Sequence, residues 1–163
     1  MPASSGGSGR GDLSALYQEL ILDHFRRPRN RGAMERPDAS AEMRNPLCGD
    51  RITLQLAYDG GVVHDLRFAG EGCAISQASA SMMTQALKGK SRADVERLAS
   101  RFGEMLGGSA EAAKDPALGE LRALAGVARI PVRVKCATLA WEALARCLGE
   151  SAESGDAVDP AAG

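Results

Sequence analysis

Hydrophobic periodicity divides the first half of the chain into one helix and three strands. Apolar residues recur at helical spacing over 13–24, with Asp12 as the expected N-cap and Pro28 as a stop. A short strand is expected over 41–44. Apolar and polar positions then alternate on both sides of 59–61 (Asp-Gly-Gly), a sequence typical of a hairpin turn. The pattern therefore predicts a small antiparallel β-sheet of about three strands.

The second half of the chain has helical periodicity. One helix begins near Ile75, and Ser91 with Asp94 forms a capping-box pattern at the start of the next. A short helix is expected around 118–124, and a last helix follows Pro131. Strands that come first and helices that come after indicate an α+β domain, with the helices packed against the sheet.

Two segments lack the periodicity of a packed element. Residues 1–11 are rich in glycine and serine and are expected to form a flexible N-terminal tail. Residues 151–163 are small and polar and are expected to form a flexible C-terminal tail. The folded domain is therefore expected over 12–150.

Composition narrows the class of protein. The 163 residues suit one domain, and 44% hydrophobic with 25% charged residues is typical of a globular protein in water. A net charge of −1 argues against strongly electrostatic binding to nucleic acid or to a membrane surface. The apolar runs are too short to span a bilayer, and the first residues lack the pattern of a secretory signal. We therefore expect a cytoplasmic protein with neither nucleic acid nor a membrane as its partner.

Four cysteines carry the candidate chemistry: Cys48, Cys73, Cys136 and Cys147. In a reducing compartment they are expected to be thiols or metal ligands rather than disulfides. Their spacing matches none of the common zinc or redox signatures, and scattered cysteines are commonly small buried apolar side chains. The positions of the cysteines in the predicted topology are therefore more informative than their spacing.

Three of these cysteines fall where predicted elements begin or end. Cys48 lies in the turn before the first hairpin strand, Cys73 follows the second strand, and Cys136 lies near the start of the last helix. A hairpin places the start of its first strand beside the end of its second, so Cys48 and Cys73 are expected to meet at one end of the sheet. The backbone N–H groups at a helix start favour thiolate over thiol, which makes Cys73 a good ligand.

Asp50 can complete a metal site with these thiols. It lies two residues after Cys48, so both side chains point to one side of an extended segment. Three thiolates and one carboxylate satisfy a tetrahedral zinc ion, with Zn–S near ~2.3 Å and Zn–O near ~2.0–2.2 Å. The four negative charges of these ligands exceed the two positive charges of the zinc ion. The basic residues that could neutralise the excess are Arg51, Arg133 and Lys135. From these residues alone, buried cysteines with a surface aspartate are an equally good interpretation.

Five runs of residues along the chain form a recognisable set. They are 16–25 (LYQELILDHF), 27–30 (RPRN), 45–50 (NPLCGD), 70–76 (GEGCAIS) and 135–141 (KCATLAW). Together they resemble the IscU/NifU-type family of iron–sulfur cluster assembly proteins, the last three being similar to its three cysteine motifs in the family's order. The resemblance covers about 12–150 and implies the small sheet with packed helices of that family.

Further features resemble the SufU branch of this family. Lys135 stands where the IscU-type pattern has a histidine immediately before its third cysteine. The span 102–121 looks enlarged, as in SufU-like proteins, and 78–86 is similar to that branch. Without the histidine, the resemblance implies a metal site that is closed by Asp50 and three thiolates.

The resemblance implies a zinc-dependent sulfurtransferase-type protein in iron–sulfur cluster assembly. It implies one zinc ion per chain, held by Cys48, Asp50, Cys73 and Cys136. A SufS-type cysteine desulfurase would supply sulfur as a persulfide, and Cys48 would be the catalytic residue that accepts its outer sulfur. The sulfur would then pass to a SufBCD-type scaffold.

Two other functions stay open. An IscU-like scaffold would assemble a labile iron–sulfur cluster on Cys48, Cys73 and Cys136. A structural zinc domain would use the metal only to close the sheet onto the helices. These alternatives differ from the relay in whether one cysteine becomes reactive while the metal stays bound.

The two histidines of the chain and its fourth cysteine are expected to have structural roles. His24 lies on the apolar stripe of the first helix, and His64 lies on the hairpin. Cys147 follows Cys136 by three helical turns, which separates the two thiols by about 16 Å along the helix. A shared ligand shell is therefore excluded for that pair, and Cys147 is expected to be a buried or partly exposed thiol.

Overall fold

The computed structural model of the chain describes residues 3–46 and 49–152. Within them the backbone forms a three-stranded sheet, α-helices and one stretch of 3₁₀ helix. In chain order the elements are α1 (Ala3–Arg26), β1 (Ala39–Asn45), β2 (Asp50–Asp59), β3 (Val62–Glu71), α2 (Ala74–Leu87), α3 (Arg92–Leu106), α4 (Ala110–Ala113), the 3₁₀ segment (Pro116–Arg129) and α5 (Pro131–Ala152). The predicted α+β class is confirmed.

The sheet has the strand order β1-β2-β3 and is antiparallel throughout. Alternate residues of β2 are buried from Asp50 to Leu56, because successive side chains of a strand point to opposite faces. Gly60 and Gly61 turn the hairpin with φ of +59° and +88°, values that glycine adopts without steric cost. The predicted strands and turn are confirmed, and Asp50 begins β2 on the buried face of the sheet.

Helix α2 lies at the centre of the helical layer. It contacts α1, α5, β3 and the 3₁₀ segment, while α5 packs against β1 and β2. The apolar core between sheet and helices includes Ile52, Leu54, Leu56, Phe68, Met82, Met83, Leu87, Leu124 and Leu144. Removal of these side chains from water is the main favourable contribution to folding. None of the described helices combines the length and apolar character needed to cross a lipid bilayer.

Helices α2 and α3 begin where the sequence predicts. Cys73 is the N-cap of α2, with an extended backbone at φ −74° and ψ 171°. Ser91 is the N-cap of α3, and its hydroxyl accepts a hydrogen bond from the Asp94 amide at 3.1 Å, as the capping-box pattern predicts. The end of the sheet is thus followed directly by a helix start, which positions Cys73 at the junction.

At the termini the structure differs in part from the prediction. Helix α1 begins at Ala3 rather than after Asp12, and so includes most of the segment whose composition predicts a flexible tail. Residues 3–26 contain no proline, which would interrupt the helical hydrogen bonds. Helix α5 continues to Ala152, and 153–163 lie outside the described residues. The domain limits of 12 and 150 stay a prediction.

The connection between α3 and α5 is more extensive than predicted. The 3₁₀ segment has 14 residues, where the pattern predicts only a short helix around 118–124, and the four-residue α4 precedes it. Asp115 caps the 3₁₀ segment by accepting from the Ala117 amide at 2.9 Å. Gly119 interrupts the segment with φ 52° and ψ −128°. A 3₁₀ helix has three residues per turn and lacks the 3.6-residue periodicity of an α-helix, so the pattern underestimates its length.

His24 is a fully buried side chain of α1. Its Nδ1 lies 2.7 Å from the Ser81 hydroxyl of α2, and its Nε2 lies 3.4 Å from Glu120 Oε1. Burial is the main cause that lowers the pKa of His24, and the charge of Arg29 acts in the same direction, while Glu120 opposes them. His24 is thus the packed histidine that the sequence predicts, whereas His64 is exposed on β3.

Replacement of His24 is expected to change how stability depends on pH. Because burial lowers the pKa of His24 in the folded chain, the unfolded chain binds a proton more readily below about pH 6.5. The free energy of unfolding should therefore decrease as the pH falls below that value, and His24→Gln should reduce the decrease. Urea unfolding at about pH 7.5 and about pH 5.5 measures the effect.

The exposed histidine provides the matched control for this experiment. His64→Gln should retain the pH dependence of the wild-type chain, because it removes an exposed side chain and leaves the buried His24 in place. An unchanged pH dependence in His24→Gln would contradict the prediction.

Candidate metal centre

Three chain segments place potential metal ligands together. Asp50 is the first residue of β2 and is 1% exposed. Cys73 is the N-cap of α2 and is half-buried, and Cys136 is buried in the second turn of α5. One carboxylate oxygen and the two sulfur atoms all lie within 4.8 Å of one another. The described residues therefore contain three convergent donors at one end of the sheet.

Strand register and a serine bridge explain why these segments meet. Arg51 pairs with Glu71 across β2 and β3, so the start of β2 lies beside the end of β3. Further along α2, the Ser79 hydroxyl donates to the Ala137 carbonyl of α5 at 2.6 Å and accepts from Trp141 Nε1 at 3.2 Å. This bridge fixes α5 against α2 immediately beyond the cysteine that α5 contributes.

The Asp50 carboxylate has one satisfied oxygen and one unsatisfied oxygen. Oδ1 accepts a hydrogen bond from the Cys73 backbone N–H at 2.9 Å. Oδ2 is buried and has no hydrogen-bond partner among the described residues. A buried polar atom without a hydrogen-bond partner lowers the stability of the fold by about 1–3 kcal/mol. A cation bound to Oδ2 would remove this cost.

The donor set fits a zinc ion. Zinc takes four donors in a tetrahedron, with Zn–S near ~2.3 Å and Zn–O near ~2.0–2.2 Å, which places the donors about 3.5–3.8 Å apart. Separations within 4.8 Å therefore need only a small contraction. Sulfur donors also select against calcium and magnesium, which prefer oxygen ligands. Two thiols and one carboxylate leave one tetrahedral position for a further ligand.

Arg133 is the basic group that the structure brings to the thiols. It precedes Cys136 by one turn of α5 and hydrogen-bonds to that thiol, and its charge also faces Cys73. The bond to Cys136 is the largest cause that raises the pKa of the Arg133 guanidinium, and Cys73 adds to it. Arg51 instead forms an ion pair with a glutamate of β3, and Lys135 is exposed. Of the three basic candidates, Arg133 has the direct contact with the ligands.

A cleft of about 280 Å³ lies against the centre. Its walls are formed by Cys73, Ala74, Ile75, Val127, Ile130 and Arg133. Cys73 faces this cleft, while Asp50 and Cys136 are buried. Of the three candidate ligands that the structure describes, Cys73 is thus the one that borders the cleft.

The structure brings together three of the four metal ligands that the sequence predicts. Cys48, the fourth ligand and the predicted nucleophile, lies outside the described residues. Cys147 is buried in the core, where its sulfur lies 3.6 Å from the Leu54 carbonyl oxygen. That thiol is therefore a packing residue, as expected, while the roles of the four ligands stay a prediction.

Two residues beside the ligands are missed by sequence reasoning. Ser76 is buried and donates to the Cys73 carbonyl at 3.1 Å, within the first turn of α2. Gly72 leaves open the space into which the Asp50 carboxylate extends. A glycine directly before a helix N-cap is a signal that the backbone passes close to another group, and it could have identified this position.

Comparison with known proteins identifies close relatives of the chain. Residues 16–152 match the family model of the NifU-like N terminal domain. The zinc-dependent sulfurtransferase SufU of Bacillus subtilis (strain 168) is 46% identical over 137 residues, which are 84% of this chain and 92% of the relative. The iron–sulfur cluster assembly scaffold protein IscU of Streptococcus pyogenes serotype M1 is 44% identical over 142 residues, 87% of this chain and 88% of the relative.

Solved structures share the fold. A protein from Fervidobacterium islandicum AW-1, assigned as an iron–sulfur cluster assembly scaffold for the SUF system, has a TM-score of 0.74 and 33% identity. The match covers 80% of this chain and 94% of that one. The N-terminal part of a NifU-like protein from Brucella abortus has a TM-score of 0.77 and 25% identity, over 88% and 99% of the two chains. The family resemblance and the fold expected from it are both confirmed.

Loss of any one described ligand is expected to weaken zinc binding. Asp50→Ala, Cys73→Ser and Cys136→Ser each remove a donor, so each should lower zinc affinity by at least the roughly 10–100-fold that loss of an outer-shell group costs. Competition with a chromophoric chelator measures the affinity. Cys147→Ala removes a thiol outside the cluster and should retain wild-type affinity. Equal losses in Cys147→Ala and in the ligand variants would show that the effect is not specific to the centre.

Proposed function

Because the chain belongs to the family of NifU-like N terminal domains, we propose that it is a zinc-dependent sulfurtransferase in iron–sulfur cluster assembly. The observation that carries the proposal is the 46% identity, over nearly the full length of both chains, to a relative named for that activity. The convergence of Asp50, Cys73 and Cys136 beside an open cleft supports it, because these donors suit zinc and leave a ligand position to fill.

Cys48 is the proposed fourth ligand, so that one zinc ion per chain would be held by Cys48, Asp50, Cys73 and Cys136. Chain connectivity supports this assignment, because two residues span at most about 7 Å between the Cα atoms of Cys48 and Asp50. Zinc, when bound, keeps its sulfur ligands as thiolates at neutral pH. The residues of the chain then hold one reactive thiolate and two that stay in place.

Cys48 is the proposed sulfur acceptor. Its thiolate attacks the outer sulfur of a persulfide on the partner enzyme, which forms a new S–S bond and breaks the old one. The partner's cysteine leaves as a thiolate, and Cys48 becomes the persulfide, so atoms and electrons balance without an added oxidant. The Arg133 guanidinium, in contact with the Cys136 thiol, offsets the negative charge of the sulfur-rich centre during this exchange.

The proposed partner is a cysteine desulfurase of the SufS type, which uses pyridoxal phosphate to remove sulfur from cysteine. The proposed recipient of the sulfur is a SufBCD-type scaffold. A structural relative is assigned to the SUF system, to which both proposed partners would belong. We place the reaction in the cytoplasm, because thiol ligands persist where cysteines are kept reduced.

A scaffold that builds a labile iron–sulfur cluster on Cys48, Cys73 and Cys136 is the second candidate function. The 44% identity to a scaffold protein favours it. The exposed Lys135 precedes the third cysteine and supplies no imidazole ligand, which favours the zinc relay over the cluster. Anaerobic addition of iron and sulfide separates the two, since a scaffold forms a coloured cluster in proportion to the chain.

Cys48→Ala is expected to abolish stimulation of the desulfurase. The zinc-loaded wild-type chain should increase turnover of the cognate enzyme by removing its persulfide sulfur. The variant lacks the accepting thiolate, so turnover should fall to that of the enzyme alone. Sulfide release from cysteine, together with the mass increase of one sulfur atom on the accepting chain, measures both events.

The controls separate chemistry from folding and metal content. Cys147→Ala retains the centre and should stimulate the desulfurase as the wild-type chain does. Cys48→Ala should be compared at matched zinc content and matched thermal stability. Full stimulation by folded, zinc-loaded Cys48→Ala would exclude Cys48 as the acceptor, and no stimulation by the wild-type chain would exclude the relay.

A further inference from the structure

Gly72 lies at the tightest point of the metal centre, between the last residue of β3 and the N-cap of α2. A Cβ atom on its backbone would lie 2.6 Å from the Ser76 hydroxyl oxygen and 2.9 Å from Asp50 Cγ, and closer still to Asp50 Oδ1. Cβ atoms in proteins essentially never come within 3.0 Å of such neighbours. Any side chain at this position must therefore displace Ser76 or Asp50.

The two neighbours differ in how easily they can move. The Ser76 hydroxyl can rotate about one bond and would lose only its hydrogen bond to the Cys73 carbonyl. The Asp50 carboxylate is more restrained, because the residue is 1% exposed. Its Oδ1 is also held by the Cys73 N–H. A group added at Gly72 thus acts mainly on the carboxylate.

We propose that Gly72 is a positioning residue of the metal centre. Because it has no side chain, the carboxylate of Asp50 can keep Oδ1 on the Cys73 amide while Oδ2 stays available to the metal. The inference rests on the proposed function, in that the centre binds zinc. It adds that Asp50 binds zinc through a single oxygen, since the other oxygen is committed to the backbone.

The unpaired Oδ2 of Asp50 is the observation that connects the space beside Gly72 to a bound metal. It is buried and lacks a hydrogen-bond partner among the described residues, in a cluster with two thiols. If the carboxylate rotated to relieve an overlap at position 72, Oδ1 would leave the Cys73 amide and the carboxylate would change its position relative to the thiols. The absence of a side chain at Gly72 therefore affects the geometry of the proposed metal site through the carboxylate of Asp50.

Gly72→Ala tests the proposal, and Gly32→Ala is its matched control. Gly32 has φ of +141°, close to the +154° of Gly72, but its nearest neighbour is Arg67 Nη1 at 4.0 Å. Both variants therefore impose similar backbone strain, and only Gly72→Ala overlaps the carboxylate. We expect zinc affinity, measured by chelator competition, to fall about 10–100-fold in Gly72→Ala and to be retained in Gly32→Ala.

Cobalt substitution gives a readout of geometry that does not depend on activity. The visible absorption of cobalt(II) bound to the wild-type chain reports four donors, one of them the carboxylate. The Gly72→Ala spectrum should shift toward that of Asp50→Ala, while Gly32→Ala should give the wild-type spectrum. A wild-type spectrum and affinity in Gly72→Ala would overturn the proposal.

A double-mutant cycle identifies the carboxylate as the affected group. In Asp50→Ala the atoms that a Cβ at Gly72 overlaps most closely are gone, so adding Gly72→Ala should lower zinc affinity by less than about twofold further. If Gly72→Ala alone fails to fold, folding of the double variant supports the proposal, and failure of both overturns it. A full 10–100-fold further loss in the double variant would also overturn it.

Failure of this inference and failure of the proposed function give different results. If Asp50→Ala binds zinc as tightly as the wild-type chain, the proposed metal centre is wrong, and so is the zinc-dependent function proposed for it. If Asp50→Ala loses affinity while Gly72→Ala does not, the centre stands and only the role of Gly72 is wrong.

Discussion

The hydrogen bond from the Cys73 amide to Asp50 Oδ1 is the contact on which the arrangement of the metal centre depends. Cys73 makes no side-chain cap of its own at the start of α2, and the carboxylate of a neighbouring strand satisfies its N–H instead. The sheet and the helical layer are thereby joined at the place where two ligands lie. The same bond leaves Oδ2 without a hydrogen-bond partner among the described residues, and the carboxylate that it holds leaves no room for a side chain at Gly72. One backbone amide thus links the position of the carboxylate, the local packing and a helix start.

Much of this arrangement is readable from the sequence, because it depends on local rules. Hairpin logic alone places the start of β2 beside Cys73, and the capping pattern locates the start of α3 at Ser91. What the sequence does not give depends on contacts between distant segments. The choice of Arg133 over Lys135 follows from the rotation of α5, and the role of Gly72 follows from the approach of a β2 side chain. The start of α1 and the length of the 3₁₀ segment lack a periodic signal altogether.

Hydrogen bonds from hydroxyl groups of α2 join the helical layer away from the candidate ligands. Three hydroxyls of α2 bond to other parts of the chain: Ser79 to α5, Ser81 to His24 of α1, and Thr84 to the side chain of Asn30. These directional bonds fix the packing of a buried helix whose apolar contacts alone would allow sliding. The apolar core lies between sheet and helices and is complete without the ligands. The candidate ligands lie at the end of the sheet, and neither Asp50 nor Cys136 is a member of this apolar core.

Cys48 belongs to the connection between β1 and β2, and the structure describes both ends of that connection. Residues 46–49 connect β1 to β2, and the connection is closed at its base by the pairing of Asn45 with Asp50 and by the Gly49 amide bonded to the Asn45 carbonyl at 2.8 Å. Asp50 is the first residue of β2, and its carboxylate accepts the hydrogen bond from the start of α2. Under the proposed function, Cys48 on the connection would exchange partners while Asp50, Cys73 and Cys136 hold the metal. A sulfur relay needs this division, since its acceptor must reach a partner while the metal stays behind.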